Sequence, residues 1–560
     1  MRIRIPMMIQ DPKWSTLEGL ERKTERPFFE EDFFLDGPVS RRVAILDLDP
    51  KTGKLEESVP FRPPTGSQTL WRYKLDDPDD IYARDAIALN VFGTVLLTMK
   101  MFEDPDALGR ELAWGFDGPQ LLVIPRAGEW PNAFYQRASR SLQFFFFPNP
   151  REEGDVVYTS LSRDIVSHET GHAILDGIAP GLYDAISPQS LALHEGVADL
   201  TAALMAFRSG NLRVQVLEKT GGSIDDASDF GSIGEEFGLA RYGLGYLRDL
   251  RNDLGMGDVD HSSPHELSQV LSGALYKVML QLHKEKWQEG SPAGEPFAIS
   301  ASGFALWKAA EQFKRMILRA LDYLPPGEVS FADYGRAILA SDQASHPHAG
   351  EVRTWIRKEW VERGMVPSES ALRVKTDYTH RALEGVDLPT LIDSDWAAYQ
   401  FANENRRLLR IPADVPFVVE PRLDVSKRYY HREGEVEVRE CLFKVRWVQT
   451  EPNSISRRWP WKRRVRVGTT LAIDWETGKI RVLLSSDRRR RHQEEEEQQE
   501  DRDLFLRHLA EAGLMRLGDR ALAHDGQPLG SIVQAESQDG VLKAEGTARM
   551  LHVIGRADHG

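Results

Sequence analysis

Residues 161–177 read LSRDIVSHETGHAILDG, and their reading decides what surrounds them. His168 and His172 stand four apart with Glu169 directly after the first. On an α-helix, residues i and i+4 share one face, so both imidazoles can point at a single ion. Glu169 then lies beside that ion, where a general base belongs. HExxH also arises by chance on ordinary helices, so the next helical segment carries much of the weight. LALHEGVADLTA, 191–202, places Glu195 and Asp199 four apart among apolar and small neighbours. Glu195 completes a set of two histidines and one glutamate, which leaves a fourth position open. Asp199 can accept the second ring N–H of a ligating histidine and so fix its tautomer. Carboxylates on so apolar a helix need partners, because a buried unpaired charge is costly.

The chain is 560 residues long, which sets a prior of two to four domains. Hydrophobic residues make up 41% and charged residues 28%, the balance of a soluble globular protein. A formal net charge of −15 argues against a general nucleic-acid binder. The one cysteine, Cys441, excludes an internal disulfide framework and suits a reducing compartment. The opening MRIRIPMMIQDPKW has no apolar core and no cleavage site of the kind a secretory leader carries. No uninterrupted apolar run approaches the ~20 residues of a membrane span. The expectation is a cytoplasmic protein that does not enter a membrane.

Residues 1–65 read as a short β-rich region, with RRVAILDLDPKTGKLEESVPF forming two strands around a turn. The segment near 80–103 has apolar residues at helical spacing, and QLLVIPRAGEWPNAFYQRASRSLQFFFFP reads as two strands. From 160 to about 365 the pattern is mostly helical. From 370 to 485, FVVEPRLDV, EVEVRECLFKVRWVQT, RRVRVGTTLAIDW and KIRVLLSS look like strands of a second, β-rich domain. From 486 to 560 the reading is a charged run, RRRRHQEEEEQQEDRD, taken as a solvated linker or exposed helix start, then a helix and a tail. The basic, aromatic SISRRWPWKRRVRV at 454–467 is read as a two-faced hairpin in preference to a nucleic-acid surface.

DIVSHETGHAILDGIAPGLY followed by HEGVADL resembles the thermolysin family of zinc metallopeptidases. PNAFYQRASRSLQFFFF, 131–147, is similar to that family's substrate-binding edge strand, with Asn132, Ala133, Phe134 and Tyr135 in its places. DHSSPHELSQVLSGALYKV resembles the segment bearing a second catalytic histidine. The likeness covers residues 66–365 and implies an α+β peptidase unit: a β-rich lobe, a helical lobe and a zinc cleft between them. It implies one zinc per chain on His168, His172 and Glu195, with Glu169 as general base. Tyr183 and His265 become hydrogen-bond donors to an oxyanion, and Asp260 orients His265. Asp199 and Asp164 support the ligands, Arg248 (with Arg251 as a rival) grips a substrate carbonyl, and Ile165 and Leu247 line a pocket.

The implied activity is zinc-dependent endopeptidase action on a protein or peptide. The family's leader, propeptide and acidic calcium loops find no counterpart here, so neither secretion nor calcium dependence is carried over. An unregulated endopeptidase would damage its host. Restricted or gated activity is therefore expected, with a regulatory partner acting through the C-terminal domain. The alternative is a latent or non-catalytic protein that works through partner binding. An aminopeptidase would need an acidic group for a free amine, and no such motif is recognisable.

Overall fold

The computed structural model describes residues 1–12, 24–66, 69–225, 228–290, 299–347, 351–431, 434–487, 492–517 and 533–551. The architecture is α+β. Short strands β1 (Phe34–Leu35), β2 (Val39–Ser40) and β3 (Val43–Ile45) precede a long helix, α1 (Arg84–Glu103). Strands β4 (Leu121–Ile124), β5 (Ala133–Gln136) and β6 (Ser141–Phe144) follow, and the six form one sheet in the order β5-β6-β4-β3-β2-β1. The boundary expected near residue 65 is bridged, because Val43–Ile45 pair in parallel with Leu121–Val123. Two short strands cannot bury a core of their own, and joining this sheet lets Val43 and Ile45 do so.

α1 is long and apolar enough to cross a membrane, and 89% of its apolar window is buried inside the protein. It is a core helix. Thr94 and Thr98 return their hydroxyls to carbonyls one turn back, while Asn90 ties it to Met8 N and Ser160 O. These polar side chains break the run of apolar letters that a search for a span relies on.

The helical part comprises α2 (Arg163–Ile178), α3 (Pro188–Arg208), α4 (Pro264–Gly290), α5 (Ile299–Tyr323) and α6 (Phe331–Ser345). Ser162 caps α2 by accepting the Ile165 N–H, and proline opens both α3 and α4, where its missing N–H costs nothing. α2 packs on α3, α1 and β5. That contact brings the two motif helices and the edge strand together.

The C-terminal sheet is built on β7 (Leu423–His431), β8 (Gly434–Pro452), β9 (Lys462–Asp474) and β10 (Ile480–Ser485). Helix α7 (His492–Glu511) takes up the acidic run, the helix start and not the linker of the two readings it allowed; residues 488–491 of that run lie outside the described residues. β11 (Met515–Leu517), β12 (Val533–Gln538) and β13 (Val541–Glu545) then join the same sheet, β13 running parallel to β9 at Lys462–Arg463. The region from 486 onward is thus part of the sheet as far as it is described.

A single hydrophobic core runs from Ile3 to Leu551. Buried polar groups stitch the sheet to the helices. Lys427 Nζ lies 2.8 Å from Asp322, Tyr323 Oη donates to Glu440 at 2.9 Å, and Glu328 N–H donates to Arg466 O at 2.9 Å. Within the basic stretch, Arg463 is fully buried and pairs with Glu451 and Asp503, while Arg466 reaches Asp184. Those internal pairs spend part of the charge that a nucleic acid would have to meet.

Candidate metal centre

His168 Nε2 and His172 Nε2 face each other at 3.0 Å. The carboxylate of Glu195 lies 3.6 Å from the first and 3.4 Å from the second. An ion bound tetrahedrally at about 2.0–2.2 Å holds its donor atoms roughly 3.3–3.6 Å apart; the Glu195 distances, which run to Oε2 and Oε1 respectively, fall in that range, and the two imidazole nitrogens stand closer. All three residues are buried and could hold a metal ion. The donor set, two imidazoles and one carboxylate, would leave one position of a four-coordinate ion without a protein ligand.

The spacing between helices decides whether those corners meet. A Cβ on Gly171 would stand 3.1 Å from Thr201 Oγ1 and 3.3 Å from Ala198 Cα. The glycine between the histidines lets α2 lie close enough to α3 for Glu195 to reach them.

Each histidine is held from behind. His168 Nδ1 is 3.1 Å from Asp199 Oδ1, the partner the sequence motif offered. His172 Nδ1 is 2.6 Å from His194 Nδ1, a contact the sequence reading missed. A His172 that ligates through Nε2 as a neutral ring would carry its proton on Nδ1, facing His194 Nδ1. The available signal was a histidine immediately preceding the ligating glutamate.

Glu169 sits beside this group with Oε2 accepting the Tyr135 N–H at 3.0 Å. Burial pushes its carboxyl up to about 7, the Glu195 charge adds to the rise, and His172 opposes it. Tyr135 belongs to the sheet's edge strand, where Ala133 N–H is closed by Asn132 Oδ1 at 2.9 Å. The outward N–H groups of β5 are thus met by side chains at the cleft and not by β6. Phe134 points to the other face, packing near Trp130 and Phe145.

Arg248 lies inside the site, with Nη1 2.6 Å from Asp199 Oδ1 and 3.0 Å from Glu195 Oε2. Its Nη2 is 3.3 Å from His265 Nδ1, which also lies 3.2 Å from Glu195 Oε2. Burial disfavours the Glu195 charge, yet His265, Arg248 and His172 together hold it well below the usual carboxylate range. His265 is raised, the pull of Glu195 outweighing burial. Arg251, its rival in the sequence, pairs instead with Asp249.

Two expectations are corrected. Asp260 does not orient His265: its carboxylate caps a turn, accepting Ser262 N–H at 2.8 Å and the Ser262 hydroxyl at 2.9 Å. Glu195 and Arg248 occupy the Nδ1 side of that imidazole, where Asp260 was expected. Asp164, one turn before His168 on α2, does not group with the histidines either. It joins Asp11 and Glu235 in a second buried group whose facing atoms lie within 4.8 Å, an arrangement that could also hold a cation. Burial raises all three carboxyls, and the neighbouring acids raise Asp164 and Glu235 further.

Tyr183 is buried behind the centre, its ring 5.9 Å from Tyr135, 6.3 Å from His194 and under the Arg137 guanidinium. Its oxygen accepts the Arg137 N–H at 3.4 Å, which uses a lone pair and not the hydroxyl proton. Arg137 itself braces Asp176 and Asp184, and Tyr135 Oη donates to Asp176 at 2.7 Å. Asp176 stands four residues after His172, so its place on that face was legible, though its role was not read. Ile165 and Leu247 meet at Gly234, both within 3.5 Å of where its Cβ would lie.

No family model matches this sequence, and no curated protein matches it.

Proposed function

We propose that this protein is a zinc-dependent endopeptidase of thermolysin-like type. The observation that supports it is the convergence of His168, His172 and the Glu195 carboxylate within 3.0–3.6 Å, with Glu169 held alongside by an edge strand. Zinc, when bound by these residues, would acidify a water toward pH ~7 and polarise the substrate carbonyl. His168, His172 and Glu195 hold it, and Asp199 and His194 keep the two imidazoles aligned. A purely structural zinc has no use for Glu169.

Substrate enters as an added strand along β5, taking over main-chain groups now closed by Asn132 and Glu169. Glu169 then loses its Tyr135 bond and takes the proton of the attacking water as the new C–O bond forms. His265 donates from Nε2 to the developing oxyanion, with the Tyr183 hydroxyl on the same side of the role. One well-placed donor contributes roughly 3–4 kcal/mol. As the C–N bond breaks, Glu169 passes its proton to the leaving amine.

The test pairs elemental analysis with cleavage of a proteome-derived peptide library, for wild type and Glu169→Gln. About one zinc per chain in both is expected, with cleavage lowered about 10²–10⁴-fold or abolished in the variant. No zinc in either protein would sink the site itself.

A further inference from the structure

Beyond β13, residues 546–551 stay against the molecule. Gly546 takes a left-handed φ of 68°, turns toward the cleft, and donates its N–H to Asp184 Oδ1 at 2.9 Å. The Thr547 hydroxyl donates to the Ala185 carbonyl, and Ala548 N–H donates to Tyr183 O at 3.1 Å. Three residues on, the Leu551 carbonyl accepts from His265 Nε2. Thr547, Ala548 and Leu551 are 0%, 5% and 2% exposed. The segment therefore fastens to the loop joining α2 to α3 at one end and to the imidazole at the start of α4 at the other.

The receiving loop is itself pinned, since Asp184 Oδ2 lies 3.0 Å from Arg137, just past β5, and 3.0 Å from Arg466 on β9. Most telling is the last contact. Leu551 presents a peptide carbonyl to the nitrogen that the proposed chemistry aims at a substrate carbonyl, and that imidazole's other nitrogen touches Glu195.

We propose that Gly546–Leu551 is a built-in inhibitor, seated on His265 at the cleft and displaced before cleavage. This rests on the peptidase reading for its meaning, although occupancy of the cleft by the segment needs no catalysis. Tethering gives the segment an effective concentration in the millimolar range, so a weak site is enough to keep it seated and a free peptide must compete.

The test uses the full-length chain carrying Glu169→Gln, so that nothing is cut. Hydrogen exchange of the 546–551 amides is measured alongside binding of a labelled synthetic peptide, KAEGTARMLHVIGR (residues 543–556). Adding Thr547→Val and Ala548→Pro removes two of the anchoring donors while keeping the tail. Protected amides are expected with the native tail, faster exchange with the altered one, and peptide binding at least about tenfold tighter once the tail is loosened. A second variant ending at Glu545 must show the same gain in binding. Tail amides that exchange as fast as the free peptide in the unaltered chain would overturn the proposal, whatever the variants do. So would equal peptide affinity with and without the anchors. Cleavage by the corresponding Glu169 proteins separates the two ideas. Equal cleavage with unprotected tail amides removes the inhibitor and keeps the peptidase. Protected amides with no cleavage by any form keep the cleft occupant and remove the peptidase.

Discussion

At the scale of single residues, the centre depends on which atom faces backwards from each ligand. His168 has a carboxylate, Asp199, at its Nδ1, while His172 has a second imidazole, His194. A neutral imidazole is a weaker acceptor than a carboxylate, so His194 orients His172 more than it raises its basicity. Replacing His194 by alanine leaves the buried His172 N–H without its acceptor and frees the ring to rotate. Metal affinity is expected to fall about 10–100-fold, read by competition against a chromophoric chelator. His194→Asn keeps an acceptor oxygen near that place and should recover most of the loss; equal affinity in wild type and alanine variant would show that packing alone orients His172. That His168 and His172 come together was legible because helical spacing turns four residues of sequence into one face. His194 was not, because an i−1 neighbour of a ligand normally points elsewhere on a helix, and only the crossing of α2 over α3 brings it round. Asp260 failed for a related reason. Spacing in a loop does not fix direction, and a nearby Ser262 offered the carboxylate a local turn instead.

Among elements, the crossing of α2 and α3 sets the distance between the histidines and Glu195. By propensity alone, Gly171→Ala in mid-helix should gain about 1 kcal/mol. The added methyl, however, meets Thr201 and the Ala198 backbone at 3.1–3.3 Å, and overpacking costs about 1–3 kcal/mol. The second effect wins where backbone and not a flexible side chain stands in the way. A net loss of about 1 kcal/mol in urea unfolding is expected, together with weaker metal binding as the helices part. Stability gained with metal affinity unchanged would mean that the helices have slack. The elements themselves were readable where one period ran long: α2, α3, α4 and the β8–β9 hairpin all lie where hydrophobic patterning placed them. Their grouping was not. β3 joins β4 across some 75 residues of sequence, and β13 joins β9 across a similar gap. Nothing local records such pairings, since an edge strand looks the same whichever sheet completes it.

Over the whole molecule, the C-terminal part is wrapped onto the helical part and not hung from it. Buried Lys427, Tyr323 and Glu440 join them at one side, and α7 joins them at another through Asp501. There His261, in the loop ahead of α4, lies 3.1 Å from Asp501 Oδ1 and gives its Nε2–H to Met256 O at 2.9 Å. Both of its neighbours are acceptors, so the doubly protonated ring fits. The Asp501 hydrogen bond raises the imidazole to about 9 against burial, with the Met256 carbonyl and the charges of Asp501 and Asp260 assisting. A folded pKa above the unfolded value of ~6.5 means the contact stabilises fully below pH ~6.5 and fades as pH climbs through about 9. The ring is over a third exposed, so solvent screening keeps the effect modest. Other groups titrate in the same window, and the comparison must therefore be a difference. Thermal midpoints of wild type and Asp501→Asn, taken from pH 6 to pH 10, should differ most at pH 6, with wild type higher, and converge above pH 9. A gap that stays constant across that range would show that Asp501 holds α7 through the Gln189 amide, 3.4 Å from its other oxygen, and not through the charge on His261.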